Sequence, residues 1–404
     1  MSTQPSLPFQ RSHARVLSGR LAEPRRLLQF VAGPRQAGKT TLVQQVLDAS
    51  ARPSLYASAD EPAVRDTAWL STQWERAREM STDANPAGAI LAIDEVQKIA
   101  GWSETVKRLW DEDTRRRRSL RVVLLGSSPL LMQRGLTESL AGRFETIHVG
   151  HWSFAEMREA FGWNLETYLF FGGYPGAAHL AEEWTRWRSY IVNAIIETTI
   201  ARDVLLMSRI EKPALLRRLF DLGCRYSGQV LSYTKMLGQL QDAGNTVTLA
   251  HYLELLTGAG MLTGLQKYAG QAARQRGSSP KLQVLNTALL TAQSGLSPQE
   301  AREDREFRGR LVESAVGAHL ANAAAAGVCE LFYWRERNRE VDFVLRAGRV
   351  VVAVEVKSGR APEAFPGLAA FAAAFQPKRT LIVGGDGIEL EAFLTRPVSH
   401  WLQA

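Results

Sequence analysis

Gly33-Pro34-Arg35-Gln36-Ala37-Gly38-Lys39-Thr40 fills every fixed position of the phosphate-binding pattern G-x-x-x-x-G-K-[ST]. The flanks supply the setting that the pattern needs. Leu27 to Val31 is an apolar run that reads as a buried strand, and Thr41 to Leu47 reads as the start of a helix. A turn between such a strand and helix aims backbone N–H groups at an anion, and the helix N-terminus adds partial positive charge. Gly33 through Thr41 are therefore expected to cradle ATP. Lys39 would reach the β- and γ-phosphates, and the Thr40 hydroxyl would hold Mg²⁺.

The rest of the chain leaves room for more than a nucleotide domain. Its 404 residues imply two or three domains. A hydrophobic fraction of 45% and a charged fraction of 22% argue against disorder. No apolar run approaches the roughly 18 residues of a membrane helix, and the polar start MSTQPSLPFQRSHAR does not read as a signal peptide. Cys224 and Cys329 stand far apart with no metal-ligand spacing. A cytoplasmic protein without a membrane partner is expected. The formal charge of +8 and sequence pI near 9.6 are compatible with nucleic acid as a partner, through release of counterions.

Strand and helix signals alternate after the phosphate loop. Ser54 to Ala59 reads as a strand, Asp60 to Glu79 as mostly helix and Ala89 to Ile93 as a second buried strand, which implies a parallel sheet. That strand ends in Asp94-Glu95. A carboxylate delivered there suits bound Mg²⁺, and the next one suits polarising a water, so Asp94 is a candidate metal ligand and Glu95 a candidate base. Gly101 to Asp113 reads as a helix and Leu120 to Leu125 as another strand, ending in Gly126-Ser127-Ser128. The basic start, residues 1–26, carries no assigned chemistry.

From Ser127 onward the chain resembles the AAA+ ATPases. The resemblance implies a polar sensor at Ser127 or Ser128. It also makes Arg143, in Leu140-Ala141-Gly142-Arg143-Phe144, an arginine able to touch the γ-phosphate of its own or a neighbouring subunit. A surface arginine without a role is the other reading. The run Arg115-Arg116-Arg117-Arg118 falls where AAA+ DNA motors carry a channel loop, and it reads equally as a solvated helix-to-strand turn. Trp152-Ser153-Phe154-Ala155-Glu156-Met157, the phrase from Tyr168 to Gly176, and Ile200-Ala201-Arg202-Asp203-Val204 resemble a narrower group. Its members are prokaryotic AAA+ ATPases with a C-terminal domain of unknown function akin to restriction-type nucleases.

Residues 213–268 follow a winged helix-turn-helix pattern. Pro213 to Leu222 is the first helix, Ser232 caps a second, and a third begins near Thr248 with Leu249, Leu253 and Leu256 on one face. Leu262 to Lys267 and Lys281 to Leu285 would be wing strands around a loop with Arg274 and Arg276. The third helix leaves Thr248, Ala250, His251 and Glu254 for DNA, with no Lys or Arg, so binding of weak sequence specificity is expected.

Beyond residue 281, strands are expected at Cys329 to Trp334, Glu340 to Leu345 and Val350 to Lys357. Alternation puts Glu355 and Lys357 on one face of the last strand, and Glu340 and Asp342 on one face of its neighbour. These residues, with Glu313 on the preceding helix, resemble the PD-(D/E)XK nuclease superfamily. The resemblance implies Asp342 and Glu355 as Mg²⁺ ligands, Lys357 as the residue handling water, and Glu313 as an accessory ligand. Val341 stands where the superfamily has proline, and Asn286 where the narrower group tends to have Asp.

The expected fold class is α/β: a P-loop NTPase (AAA+) parallel-sheet domain over 1–150, a helical lid over 151–210, a winged helix over 211–280 and a nuclease-like α/β domain over 281–404. The expected function is ATP hydrolysis acting on nucleic acid, DNA more than RNA, with a layout like that of the Holliday-junction branch-migration motor. Assembly into a homo-oligomer such as a hexameric ring goes with it. The rival reading is an ATP-dependent switch in signalling or phage defence without motor activity.

Overall fold

The computed structural model describes residues 9–60, 66–81, 87–126, 139–204, 210–240, 244–269, 278–359 and 364–403. It divides into two compact units, Met1–Val149 and Gly150–Ala404.

The first unit is built on five strands, β1 (Leu28–Ala32), β2 (Ser54–Ser58), β3 (Ile90–Asp94), β4 (Arg121–Gly126) and β5 (Phe144–His148), in the order β2-β3-β4-β1-β5. Every pairing is parallel. Both faces are covered, which is why β1 and β3 are wholly buried and, Gln29 and Asp94 apart, apolar without alternation. Phe30, Leu91 and Leu124 pack on one face against Trp74, Trp102 and Leu109 from helices α3 (Thr67–Glu79) and α4 (Trp102–Arg115). Val31, Ile90 and Leu125 pack on the other against Leu17 of α1 (Ser12–Ala22) and Leu42 and Val46 of α2 (Lys39–Asp48). Asp113 is fully buried and accepts hydrogen bonds from Trp74 Nε1 and Arg78 Nε, both at 2.8 Å, which joins α3 to α4. The register sets Ala32 opposite Gly126 and Ile93 opposite Leu124, so the carboxyl ends of β1, β3 and β4 share one edge. In sheets of this kind ligands bind at that edge.

The second unit holds a six-stranded sheet, order β11-β10-β9-β8-β6-β7, from β6 (Leu262–Lys267), β7 (Lys281–Val284), β8 (Glu330–Glu336), β9 (Arg339–Ala347), β10 (Val350–Lys357) and β11 (Arg379–Gly384). Strands β8, β9 and β10 form an antiparallel meander, and β11 runs parallel to β10 after the helix Pro366–Phe375. The 21-residue helix Arg305–Ala325 carries Glu313. The strands expected as a wing do pair with each other, but β6 also pairs parallel with β8 at Gln266 and Lys267. The divisions expected at 210/211 and 280/281 therefore fall inside one compact unit, and the second cuts a continuous sheet. The physical reason is aromatic. Tyr268 donates its backbone N–H to Tyr333 O at 2.6 Å and packs against Phe332, Phe371 and Phe375, so the edge of β6 is covered instead of exposed.

Three helices precede that sheet, Pro213–Arg225, Tyr233–Gln239 and Thr246–Gly258. Ser232 and Asn245 cap the last two through Lys235 N and Thr248 N. Leu249, Leu253 and Leu256 are buried, and His251 and Glu254 are exposed. The aromatic phrases nearer residue 150 are core: Phe170, Phe171 and Trp187 pack edge to face or tilted within 5.8 Å. Asn286, the departure noted above, is a clamp. Its Oδ1 accepts from Gly173 N at 3.1 Å and Ala288 N at 3.2 Å, while its amide lies 3.2 Å from His151 Nδ1. The arginines Arg274 and Arg276 of the expected wing loop lie outside the described residues. No helix among the described residues is long and apolar enough to cross a membrane.

His319, on the helix Arg305–Ala325, gives this unit a pH dependence. Burial holds its imidazole down to about 4 from an ordinary 6.5. The unfolded chain takes up the proton first, so stability is full above pH 6.5 and falls as pH drops toward 4, by on the order of 2–3 kcal/mol. Urea unfolding at pH 7 and pH 4.5 should show a stability change on acidification that is more favourable in His319→Phe than in the wild type by about this amount, the difference cancelling the opposite contribution of Glu313.

Candidate active site

The phosphate loop follows β1 at the shared carboxyl edge. Gly33 is required there: a Cβ would stand 2.0 Å from Val149 O, which follows the neighbouring strand β5. Gly38 has φ 81°, and Gln36 has φ 61°, so two left-handed residues turn the chain before α2 starts at Lys39. Lys39 Nζ donates to Gly33 O at 3.1 Å and Pro34 O at 2.9 Å, folded over its own loop where a phosphate oxygen could replace those carbonyls. Pro34, Arg35 and Ala37 complete the loop, and Thr41 continues the first turn of α2.

Thr40 and Asp94 meet directly. Thr40 Oγ1 donates to Asp94 Oδ2 at 2.7 Å, although the two residues stand 54 positions apart. Tyr56 OH donates to the same oxygen at 2.7 Å, and Glu95 N donates to Asp94 Oδ1 at 2.8 Å. Burial, then the bond to Asp94, pushes the Tyr56 phenol well above its ordinary range, so it stays a donor. A hydroxyl and a buried carboxylate in contact are the hard oxygen ligands that Mg²⁺ takes, so this donor set fits the ion. Glu95 has φ 53°, which turns its side chain off the end of β3, and its Oε2 accepts from Gln97 Nε2 at 2.6 Å.

Residues 25–158 match the AAA domain family. The first unit carries a P-loop ATPase-like domain. The remainder of the chain matches two domains of unknown function, DUF8612 over 162–300 and DUF4143 over 308–392. The chain is 27% identical over 336 residues to an uncharacterized protein of Mycobacterium tuberculosis, covering 82% of this chain and 70% of that one. An uncharacterized protein of Methanocaldococcus jannaschii is 20% identical over 340 residues, covering 79% and 72%. Among solved structures, a Walker-type ATPase of Pyrococcus abyssi aligns with 72% of this chain and 99% of its own, at 15% identity and a TM-score of 0.46.

Arg143 lies elsewhere in the ATPase-like domain. It immediately precedes β5, and its carbonyl accepts from Leu28 N at the start of β1. The five residues of β1 separate it from the phosphate loop by roughly 16 Å. It also forms a two-bonded pair with Asp111, at 2.8 and 3.1 Å. A contact with the γ-phosphate of its own subunit is thereby corrected, because the sheet register puts residue 143 at the opposite edge. The arginine run sits at that opposite edge too, in the turn from α4 to β4, with Arg116 on Glu112 at 3.2 Å and Arg118 near Asp113 at 3.9 Å. Ser127 and Ser128 lie outside the described residues.

Arg11 and Tyr56 were missed by the sequence reading. Arg11 is buried and donates from Nη1 to Ala37 O at 3.0 Å, bracing the phosphate loop from the segment that had no assigned chemistry. Nothing local to either residue announces its role; only the fold brings them to the loop and to Asp94.

In the second unit the residues expected to form a metal centre do gather, around a different cation. Lys281 Nζ, fully buried, is 2.6 Å from Glu313 Oε1, 3.4 Å from Asp342 Oδ1 and 3.6 Å from Glu340 Oε1, and donates to Asp342 O at 3.2 Å. Asp342 Oδ2 accepts from Val356 N at 2.8 Å, and Lys357 Nζ donates to Glu355 Oε1 at 2.7 Å. Burial raises Glu313 to about 7 against the pull of Lys281. Burial opposes the charge on Lys281, and Asp342, Glu313 and Glu340 together outweigh it, holding the ammonium protonated. No group of three or more His, Cys, Asp or Glu among the described residues is arranged to hold a metal. Where the resemblance implies Mg²⁺ on Asp342, Glu355 and Glu313, an ammonium stands among the carboxylates.

Proposed function

We propose that this protein hydrolyses ATP with Mg²⁺ and that the turnover acts on nucleic acid, DNA before RNA. The observation that carries the ATPase reading is the 2.7 Å contact of Thr40 with Asp94 beside the phosphate loop. Lys39 and the loop N–H groups would bind the triphosphate, Thr40 and Asp94 would hold Mg²⁺, and Glu95 would accept the proton of the attacking water. The ion neutralises charge on the β- and γ-phosphate oxygens when bound. The formal charge of +8 supports a polyanionic partner, and the exposed arginines of the run from Arg115 to Arg118 are the candidate contacts for its backbone. On this reading the second unit, nuclease-like in fold, with its three helices ahead of the sheet, is the body that ATP turnover moves on branched or duplex DNA, in a ring of identical subunits.

One observation favours a second reading. Arg143 is held by Asp111 at the edge away from the nucleotide, so a transition-state arginine is not supplied from that position in the same chain. An ATP-dependent switch with slow intrinsic hydrolysis, in signalling or phage defence, needs none. ATPase assays with single-stranded, duplex and four-way-junction DNA separate the two. The motor reading expects severalfold stimulation and DNA binding that weakens steeply with salt; turnover indifferent to every nucleic acid would leave the switch.

A further inference from the structure

We infer that the Lys281 ammonium occupies the place of a divalent cation in the acidic cluster of the second unit, so that this sheet carries no metal-dependent cleavage. The inference is independent of the nucleotide site. Four carboxylates, from Glu313, Glu340, Asp342 and Glu355, meet three cations: Lys281, Lys357, and Arg335 at 3.7 Å from Glu340. The excess negative charge is small, and the interior position is filled. Mg²⁺ needs oxygens at about 2.0–2.1 Å in near-octahedral array. The oxygens of Glu313, Asp342 and Glu340 stand instead at 2.6 to 3.6 Å around the Lys281 ammonium.

The ammonium is also locked. Lys281 is fully buried, as are Leu282, Gln283 and Val284 after it, and the Phe343 ring lies 4.9 Å from its Nζ. Gly228 presses on the other side of the cluster, since a Cβ there would stand 3.1 Å from the Glu313 carboxyl carbon. Glu313 is thereby confined toward Lys281. A divalent cation placed among these carboxylates would meet the repulsion of the buried Lys281 charge.

The test uses full-length, nucleotide-free protein titrated with Mn²⁺ as a spectroscopic stand-in for Mg²⁺, with free Mn²⁺ read by electron paramagnetic resonance. Wild type, Asp342→Asn and Glu355→Gln should bind the same number of ions. Lys281→Met, which keeps the length of the side chain and drops the charge, should gain one ion per chain, at least about tenfold tighter than any in this unit of the wild type. Adding Asp342→Asn to it should abolish the gain. A wild-type Mn²⁺ lost in both Asp342→Asn and Glu355→Gln would overturn the inference, as would a folded Lys281→Met that gains none. Should Lys281→Met fail to fold, the wild-type comparison decides alone.

Discussion

Glu95→Gln should bind ATP within a fewfold of the wild-type affinity and hydrolyse it about 10³-fold more slowly, the size of effect expected when a positioned base is lost. The variant keeps the shape of the side chain, including an oxygen that can accept from Gln97 Nε2, and leaves Asp94, Thr40 and the loop untouched. It removes only the carboxylate able to take a proton. Single-turnover hydrolysis and nucleotide binding, measured on the same preparation, check the two halves of the claim separately. Loss of binding and hydrolysis together would mean that Glu95 holds the loop in place, and its role as base would be withdrawn.

Lys39→Ala should raise the dissociation constant for ATP by at least about 10²-fold, equivalent to roughly 2.7 kcal/mol. Lys39 donates to carbonyls of the phosphate loop itself, Gly33 O and Pro34 O. Its removal takes away the charged side chain of the loop that would reach the phosphates. The unfolding midpoint without nucleotide should stay close to that of the wild type, and the rise in that midpoint on adding Mg-ATP should disappear.

What the sequence made legible was what local spacing encodes. Lys39 and Thr40 fall into place because a strand, a turn of fixed length and a helix are contiguous, and Asp94 because a wholly buried strand ends on it. The sequence could not convey what packing brings from a distance. Arg11 reaches Ala37 only because Ala14, Leu17 and Leu21 seat α1 on α2, and Tyr56 reaches Asp94 only because β2 pairs with β3. Arg143 was placed by resemblance along the chain, while its position in space follows from the register of β5 against β1. Lys281 was read as a wing residue. Its meaning depends on Glu313, Glu340 and Asp342, 32 or more positions later, and on a sheet that joins β7 to the meander through β6.

The central claim is that the crevice between the end of β1 and the start of α2 receives a magnesium nucleotide. Calorimetric titration of the purified chain with a non-hydrolysable ATP analogue tests it most directly. The account predicts one site per chain, dependent on Mg²⁺ and lost in Lys39→Ala. A folded wild-type protein that takes up no analogue in the presence of Mg²⁺ would contradict it.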